Sequence, residues 1–352
     1  MKPVHNFQPG PSKLPKSVLD LIQPSINEYE STGKSILEIG HRSSEFLEIL
    51  EKIDENMKSL FGLPENFHCL LMQGGATYQN TFISNNIKDV QNIGCIVSGT
   101  WGLKTYEDFS KVRGLVTKYE FDSPYELFDN TDLSNHDFVH LTSNETIEGI
   151  QIKNFNEINS NNLIIDMSSD IGSYKFSFEN VKYIYAGAQK NMGIPGVTIC
   201  FVSNNFINEN QNPSYLNLNK LIEKKSNLNT PPTFSIYVLK LITDWMLDMG
   251  GIEYFENKSL DQSRKIYEIL ENNDSLLDFN TDETFRSSSN VVFRFKNKDI
   301  DKHFLNSAEE NGIIGLKGHR SIGGVRISLY NSIDYETFNI LQNFMNQYFK
   351  SI

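Results

Sequence analysis

Lys190 stands in a setting that allows covalent chemistry. An apolar, aromatic run over residues 181–188 ends in a turn holding Gly193, Pro195 and Gly196, and a second apolar run, 197–202, follows. An amine at a strand end beside small residues is either a surface turn residue or a group held in a cavity. A desolvated amine loses its proton near neutral pH and can attack an aldehyde to form a Schiff base. Asp166 closes another apolar run, and a carboxylate there needs a partner because isolated burial is costly. It either caps local backbone or holds a cationic ring nitrogen. Gly74-Gly75-Ala76-Thr77 follows the run 68–72 and opens a helical pattern. Backbone N–H groups converge on an anion at such a place, and the helix dipole adds ~0.3–1 kcal/mol. No Gly-Lys-Ser/Thr follows, so this is not a Walker loop. Trp101, one of 2 tryptophans, is read in a loop at a strand exit between Gly99 and Gly102, where stacking on a flat ligand suits it as well as packing does. His319, Arg320 and Arg326 crowd one glycine-rich segment, as solvated side chains or as an anion receptor. His41 and Arg42 precede a helix; Arg42 either pairs with Glu45 or awaits an anionic ligand.

The elements that must position these groups alternate. Residues 1–15, with Pro9, Gly10, Pro11 and Pro15, form an extended arm, either plain or lining a site. Helical spacing covers 17–29 and the stretch after Ser44, taken as the cap, with Phe46, Leu47, Leu50, Ile53, Met57 and Leu60 on one face. Strands are expected over 68–72, 93–97, 137–142, 163–169, 181–188 and 197–202, with helical stretches between. This is an α/β pattern with a largely parallel sheet. Ligands collect at the carboxyl ends of strands in such sheets, and Thr77, Trp101, Thr146, Asp166 and Lys190 all come from strand exits. Residues 211–230 read as a polar surface loop, followed by a helix capped by Thr233 and stopped by Gly250-Gly251. A helix from 253 to about 270 leads to a second region, with a strand over 290–295, a helix over 299–311, a strand over 313–316 and a last helix over 334–349.

At 352 residues the chain suits a large domain plus a smaller one. Its net charge of −12 argues against nucleic acid as a partner, which asks for a basic stripe. No apolar run reaches membrane-spanning length, and the start of the chain lacks a signal-peptide pattern. The 3 cysteines, Cys69, Cys95 and Cys200, each lie in an apolar run, against both disulfide scaffolding and a cysteine metal site. No metal site is expected, and a reducing cytoplasm is the expected location.

Several motifs together carry a resemblance that runs from end to end. They are Asn6-Phe7-Gln8-Pro9-Gly10-Pro11, Gly40-His41-Arg42-Ser43, Gly74-Gly75-Ala76-Thr77, Gly99-Thr100-Trp101, Ser143-Asn144-Glu145-Thr146, Asp166-Met167-Ser168-Ser169, Ala188-Gln189-Lys190-Asn191, and the segment from Gly318 through His319 and Arg320 to Arg326. With them the chain resembles the phosphoserine aminotransferases, within the class V pyridoxal-phosphate enzymes. The resemblance implies a fold-type-I transferase: an arm (1–15), a large cofactor-binding domain with a mostly parallel sheet (16–255) and a small C-terminal α/β domain (256–352). It implies that Lys190 carries pyridoxal 5'-phosphate and that Asp166 salt-bridges the ring nitrogen. Trp101 would stack on the ring, and Thr146 would bond its phenolic oxygen. Ala76, Thr77 and Gln189 would hold the phosphate, joined by Asn229 and Thr230 from the other subunit of a homodimer. Arg42 and Arg326, with His41, His319 and Arg320, would bind substrate. The implied substrates are glutamate and 3-phosphooxypyruvate. The phosphorylated four-carbon keto acid of vitamin B6 synthesis stands open as a second acceptor. Two positions depart from the family pattern: Gln8-Pro9 stands where many relatives have Ser-Ala, and Thr77 replaces a serine but keeps the hydroxyl. Among class V rivals, a desulfurase needs a mobile nucleophilic cysteine, and an alanine–glyoxylate enzyme has little use for His319 and Arg320 beside Arg326.

Overall fold

Strands buried along their whole length build the centre of the computed structural model, which describes residues 3–87, 90, 92–112, 115–121, 131–206 and 212–352. Met1, Lys2 and Gln211, parts of the arm and loop readings, lie outside the described residues. Seven strands form the main sheet: β2 (Phe67–Met72), β3 (Ile93–Val97), β4 (Val116–Glu120), β5 (Phe138–Thr142), β8 (Leu163–Asp166), β9 (Val181–Gly187) and β10 (Thr198–Ser203), in the order β2-β10-β9-β8-β5-β3-β4. Neighbours are parallel except β10, which runs against both β2 and β9, and a short antiparallel pair, β6 (Asn144–Glu145) and β7 (Ile150–Gln151), lies between β5 and β8 in the chain. Side chains alternate between faces. Leu163, Ile165, Ile184 and Ala186 enter one core, and Ile164, Tyr183 and Tyr185 enter the other. Helices cover both faces, so the strands read as continuous apolar runs rather than alternating ones.

On the first face lie α1 (Lys16–Asn27), α2 (Ser44–Phe61) and α6 (Thr233–Asp248); on the second lie α3 (Gly75–Asn86), α4 (Thr100–Val112) and the short α5 (Leu218–Glu223). A second apolar core gathers around the antiparallel sheet β11 (Leu277–Phe279), β12 (Asn290–Phe295) and β14 (Val325–Ser328), with α8 (Lys298–Glu310) and α9 (Tyr335–Ser351). Helix α7 (Gly251–Glu271) joins the two cores: Ile252 and Phe255 belong to the first, Ile266 and Leu270 to the second. The expected domain step at residue 256 therefore falls inside a helix. The arm also bridges the two. Strand β1 (His5–Asn6) pairs with β13 (Ile313–Ile314), Phe7 enters the second core, and the Lys13 ammonium meets Asp334 at 2.7 Å.

Four local readings are corrected. Ser43, not Ser44, caps α2, its hydroxyl accepting the Phe46 N–H; burial of Phe46, Ile49 and Ile53 sets the register and leaves Ser44 as the first helical residue. Thr233 is likewise the first residue of α6, after Pro232, and supplies no side-chain cap. The 211–230 stretch contains α5, because Leu218 and Leu221 are buried and the Asn217 side chain caps it. Trp101 lies in the first turn of α4 rather than in a loop. Among the described residues no helix is long and apolar enough to cross a membrane, and no group of three or more His, Cys, Asp or Glu could hold a metal ion.

Candidate active site

The register of the sheet brings the chemistry to one edge. Thr142, Asp166 and Tyr185 sit side by side on β5, β8 and β9, and Met72 and Gly187 flank Thr198 on β10. The exits of β2, β3, β5, β8 and β9 thus open at the same end of the sheet. Lys190 follows β9 in the turn whose Met192 N–H returns to the Ala188 carbonyl at 3.0 Å. The arm lies on it. Ser12 donates its N–H to the Gln189 carbonyl at 2.9 Å and its hydroxyl to the Lys190 carbonyl. A Cβ on Gly10 would stand 3.5 Å from the Lys190 Cγ, and the Tyr330 hydroxyl holds the Pro9 carbonyl at 2.8 Å.

Lys190 is half-buried, and desolvation lowers its pKa, opposed by Asp166 and reinforced by Arg326. Asp166 is 8% exposed; burial raises its pKa while Ser168 and Lys190 pull it down. Its carboxylate accepts the Ser168 N–H at 2.8 Å, and its carbonyl accepts both the N–H and the hydroxyl of Ser143. Asp170 stands behind, taking the Ser143 hydroxyl at 2.6 Å and the Gln151 amide at 3.0 Å, with its pKa pushed up by burial to about 6. Asn191, next to Lys190, accepts the Asn331 N–H at 3.0 Å and donates to the Ser169 carbonyl. The nucleophile candidate is thereby tied to both cores.

Trp101 donates its indole N–H to the Thr146 hydroxyl at 3.0 Å, and the Lys104 ammonium lies 5.9 Å from its ring centre. Lys104 also reaches the Thr77 hydroxyl at 3.5 Å. Lys104 escaped the sequence reading; its one sequence signal is a place three residues after Trp101, which became meaningful once Trp101 was helical. Gly74 and Gly75 take positive φ, 95° and 67°, at the start of α3, and a Cβ on Gly74 would strike Tyr78 at 2.6 Å. Ala76 is half-buried and Thr77 exposed on that first turn, and Gln189 is half-buried.

Arg326, on β14, is 7% exposed and joins this group by donating to the Thr146 carbonyl at 3.3 Å. Burial lowers its pKa, and its Nε has no partner. A buried guanidinium with a free N–H is suited to an incoming anion. His319 bonds the Ser321 hydroxyl at 2.7 Å in the turn before β14, and Arg320 is exposed there. Arg42, Asn229 and Thr230 are also exposed. Asn227 donates to the His41 carbonyl at 2.7 Å, and Gln73 to the Thr230 carbonyl at 3.5 Å. Residues 41, 73, 227 and 230 therefore neighbour one another at the surface. Among the described residues, no hydrogen bond or ion pair links Arg42, Asn229 or Thr230 to Lys190, Asp166 or Arg326. Cys95 and Cys200 are buried, and burial drives both thiols up, that of Cys200 to about 12, which disfavours a nucleophilic cysteine.

A parallel-sheet edge that presents a desolvated lysine against a buried aspartate agrees with what the comparisons show: the chain matches the model of the aminotransferase class-V family over residues 4–341 and belongs to that family. It is 35% identical over 356 residues to the phosphoserine aminotransferase of Bacillus cereus and 36% identical over 357 residues to that of Alkalihalobacillus alcalophilus, covering 99% of each chain in both cases. Within class V, the chain falls among the phosphoserine aminotransferases. Its fold superposes on the phosphoserine aminotransferase of Bacillus circulans subsp. alkalophilus with a TM-score of 0.92 at 32% identity, covering 100% of this chain and 99% of that one. The PLP-bound enzyme of Trichomonas vaginalis follows at a TM-score of 0.88 and 26% identity, with 97% and 99% covered.

Proposed function

We propose that the chain transfers the amino group of glutamate to 3-phosphooxypyruvate, giving O-phospho-L-serine and 2-oxoglutarate, with pyridoxal 5'-phosphate at the strand exits of a homodimer. The observation that carries this is the meeting of Lys190, Asp166 and Arg326 at one sheet edge, in a chain whose full-length relatives bear that activity's name. The residues present suit the cofactor. Asp166 is a buried carboxylate that offsets a cationic ring nitrogen. The positive-φ glycines at the N-terminus of α3 suit a phosphate with Ala76, Thr77 and Gln189, and Trp101 and Thr146 offer a stacking plane and a hydroxyl. The reading carries with it an arm (1–15), a cofactor-holding part (16–255) and a small part (256–352).

When bound, the cofactor supplies an aldehyde and an electron-accepting ring. The chain supplies the rest. The Lys190 Nζ, favoured in its neutral form by desolvation, takes the proton from the glutamate α-carbon and would deliver it to the cofactor's former aldehyde carbon, with the reverse transfer onto the α-carbon of the product in the second half-reaction, as a base held below the ordinary lysine range can. Arg326 grips the substrate carboxylate through its planar fork, and its unpaired Nε–H gains a partner. Arg42, His41, His319 and Arg320 bring positive charge for the second anionic group, carboxylate in one half-reaction and phosphate in the other. Asn229 and Thr230, exposed in one chain, reach the phosphate of the other chain's site. An assay with glutamate and 3-phosphooxypyruvate should release 2-oxoglutarate and phosphoserine with ping-pong kinetics, and Lys190→Ala should abolish it. Running the four-carbon phosphorylated keto acid beside it measures the second acceptor. Absence of turnover with both keto acids would overturn the reading.

A further inference from the structure

The loop after β5 holds Trp101 from two directions. Thr146 accepts its indole N–H at 3.0 Å, and the preceding residue, Glu145, accepts the backbone N–H groups of Trp101 at 2.9 Å and Gly102 at 2.7 Å. Glu148, one turn further, accepts the Thr100 N–H at 3.0 Å. The first three N–H groups of α4, which no helix can satisfy internally, are thus taken by two acidic side chains that follow β5, with burial pushing the Glu145 carboxyl up to about 8. The glycines flanking the tryptophan follow from this. A Cβ on Gly99 would stand 2.6 Å from the Glu148 carboxyl and 2.7 Å from the Glu145 Cγ, and one on Gly102 would stand 3.0 Å from the Ile96 carbonyl and 3.1 Å from Glu145 Oε1. Glu145 is fully buried, which for a carboxylate asks for a specific use. Ordinary capping does not require it, since a serine or aspartate at the helix start serves with less desolvation.

We infer that Glu145 is a positioning residue: by clamping the first turn of α4 it fixes the plane and height of the Trp101 ring against Thr146, and so sets the face on which the aromatic cofactor lies. This rests on the reading of Trp101 as the stacking residue. A tryptophan has two side-chain torsions. With the indole N–H anchored at Thr146 and the backbone anchored at Glu145, little freedom remains in either. Such preorganisation spares the ordering cost when a flat ligand binds.

The test uses the full chain carrying Trp245→Phe, so that Trp101 is the one remaining indole. The protein is stripped of cofactor and titrated with pyridoxal 5'-phosphate while Trp101 emission is followed. Glu145→Gln keeps the volume and one acceptor oxygen; Glu145→Leu removes both acceptors. Half-saturation should rise about 3- to 10-fold for the first and at least about 10-fold for the second, following the loss of one and two hydrogen bonds. In the cofactor-free state the Leu variant's emission should move to longer wavelength, and quenching on saturation should weaken in the same order. A purely structural cap would lower the unfolding temperature and leave emission and half-saturation of the folded protein untouched; that result, in either folded variant, overturns the proposal. If the Leu variant does not fold, the Gln variant decides alone by the same readouts. Failure of the cofactor reading looks different: pyridoxal phosphate would then leave Trp101 emission unchanged even with Glu145 intact, while the cofactor-free spectra would still report whether Glu145 sets the indole's surroundings.

Discussion

Around Lys190 the polar side chains are tied to one another inside the chain, whereas the guanidinium groups of Arg42 and Arg320 face solvent. Asp166, Ser143 and Asp170 form a connected, buried set at the ends of β5 and β8, and Asn191, bonded to the Ser169 carbonyl and to the Asn331 N–H, joins the turn after β9 to the second core. Such networks hold one geometry because every alternative strands a buried polar group. The exposed rim costs nothing to leave open, and in one chain it is open. Under the proposed function, the covalent chemistry falls to this preassembled centre, and the second anionic group is left to loops that substrate or another copy would complete. Arg326 belongs to the inner region by burial and to the outer one by its unpaired Nε, which makes it the hinge of the comparison.

The largest effect should follow from breaking the inner region. Lys190→Ala should lower kcat by at least about 10³-fold, the loss expected when a positioned base and nucleophile is removed. A smaller loss in a steady-state assay would return Lys190 to the role of a turn residue. Arg326→Lys keeps the charge but loses the fork, and kcat/KM should fall about 10- to 100-fold; near-native efficiency would remove the carboxylate clamp. The outer region is tested by mixing. Lys190→Ala protein combined with an Asn229→Ala, Thr230→Ala protein should form hybrids with one intact site, recovering up to about a quarter of native activity if sites span two chains. Recovery at the level of the separate variants would confine each site to one chain. Arg320→Ala should raise KM for the phosphorylated acid only a few-fold, because an exposed charge is screened, and the effect should shrink further in high salt.

The inner region was legible where a charge interrupts an apolar run, as at Asp166 and Lys190, since burial of such a group demands an explanation. Trp101 was seen but set in the wrong element. Its flanking glycines suggest a loop, and only the close approach of Glu145, Glu148 and the Ile96 carbonyl, which leaves no room for a Cβ, shows why they stand at a helix start. Glu145 carried no signal beyond its place in the 143–146 motif, because a glutamate after a strand looks solvated until the sheet buries it. The serine pair at residues 43 and 44 offered two caps, and the depth of Phe46 chose between them. Asn229 and Thr230 were placed near the site by resemblance alone, and Arg42 by resemblance and by its place just before a helix; all three are exposed.

The smallest effect concerns Lys258, buried on α7, whose ammonium donates to the Ile333 carbonyl at 2.9 Å and to that of Asn331, the residue that also contacts Asn191. Burial lowers its pKa to about 7 against an ordinary 10.5. Between those values the unfolded chain binds more protons than the folded one, so this group makes stability rise as pH increases across that window. Lys258→Met should lower stability and flatten the slope of unfolding free energy from about pH 7 to 10, read by denaturant titration. An unchanged slope would show that the amine keeps its proton when folded.

The central claim is that the Lys190 amine is the group that meets the cofactor aldehyde. Protein incubated with pyridoxal 5'-phosphate, reduced with borohydride and digested, should carry the phosphopyridoxyl mass on the peptide containing Lys190. Label on another lysine in the native protein, or none at all, would contradict it.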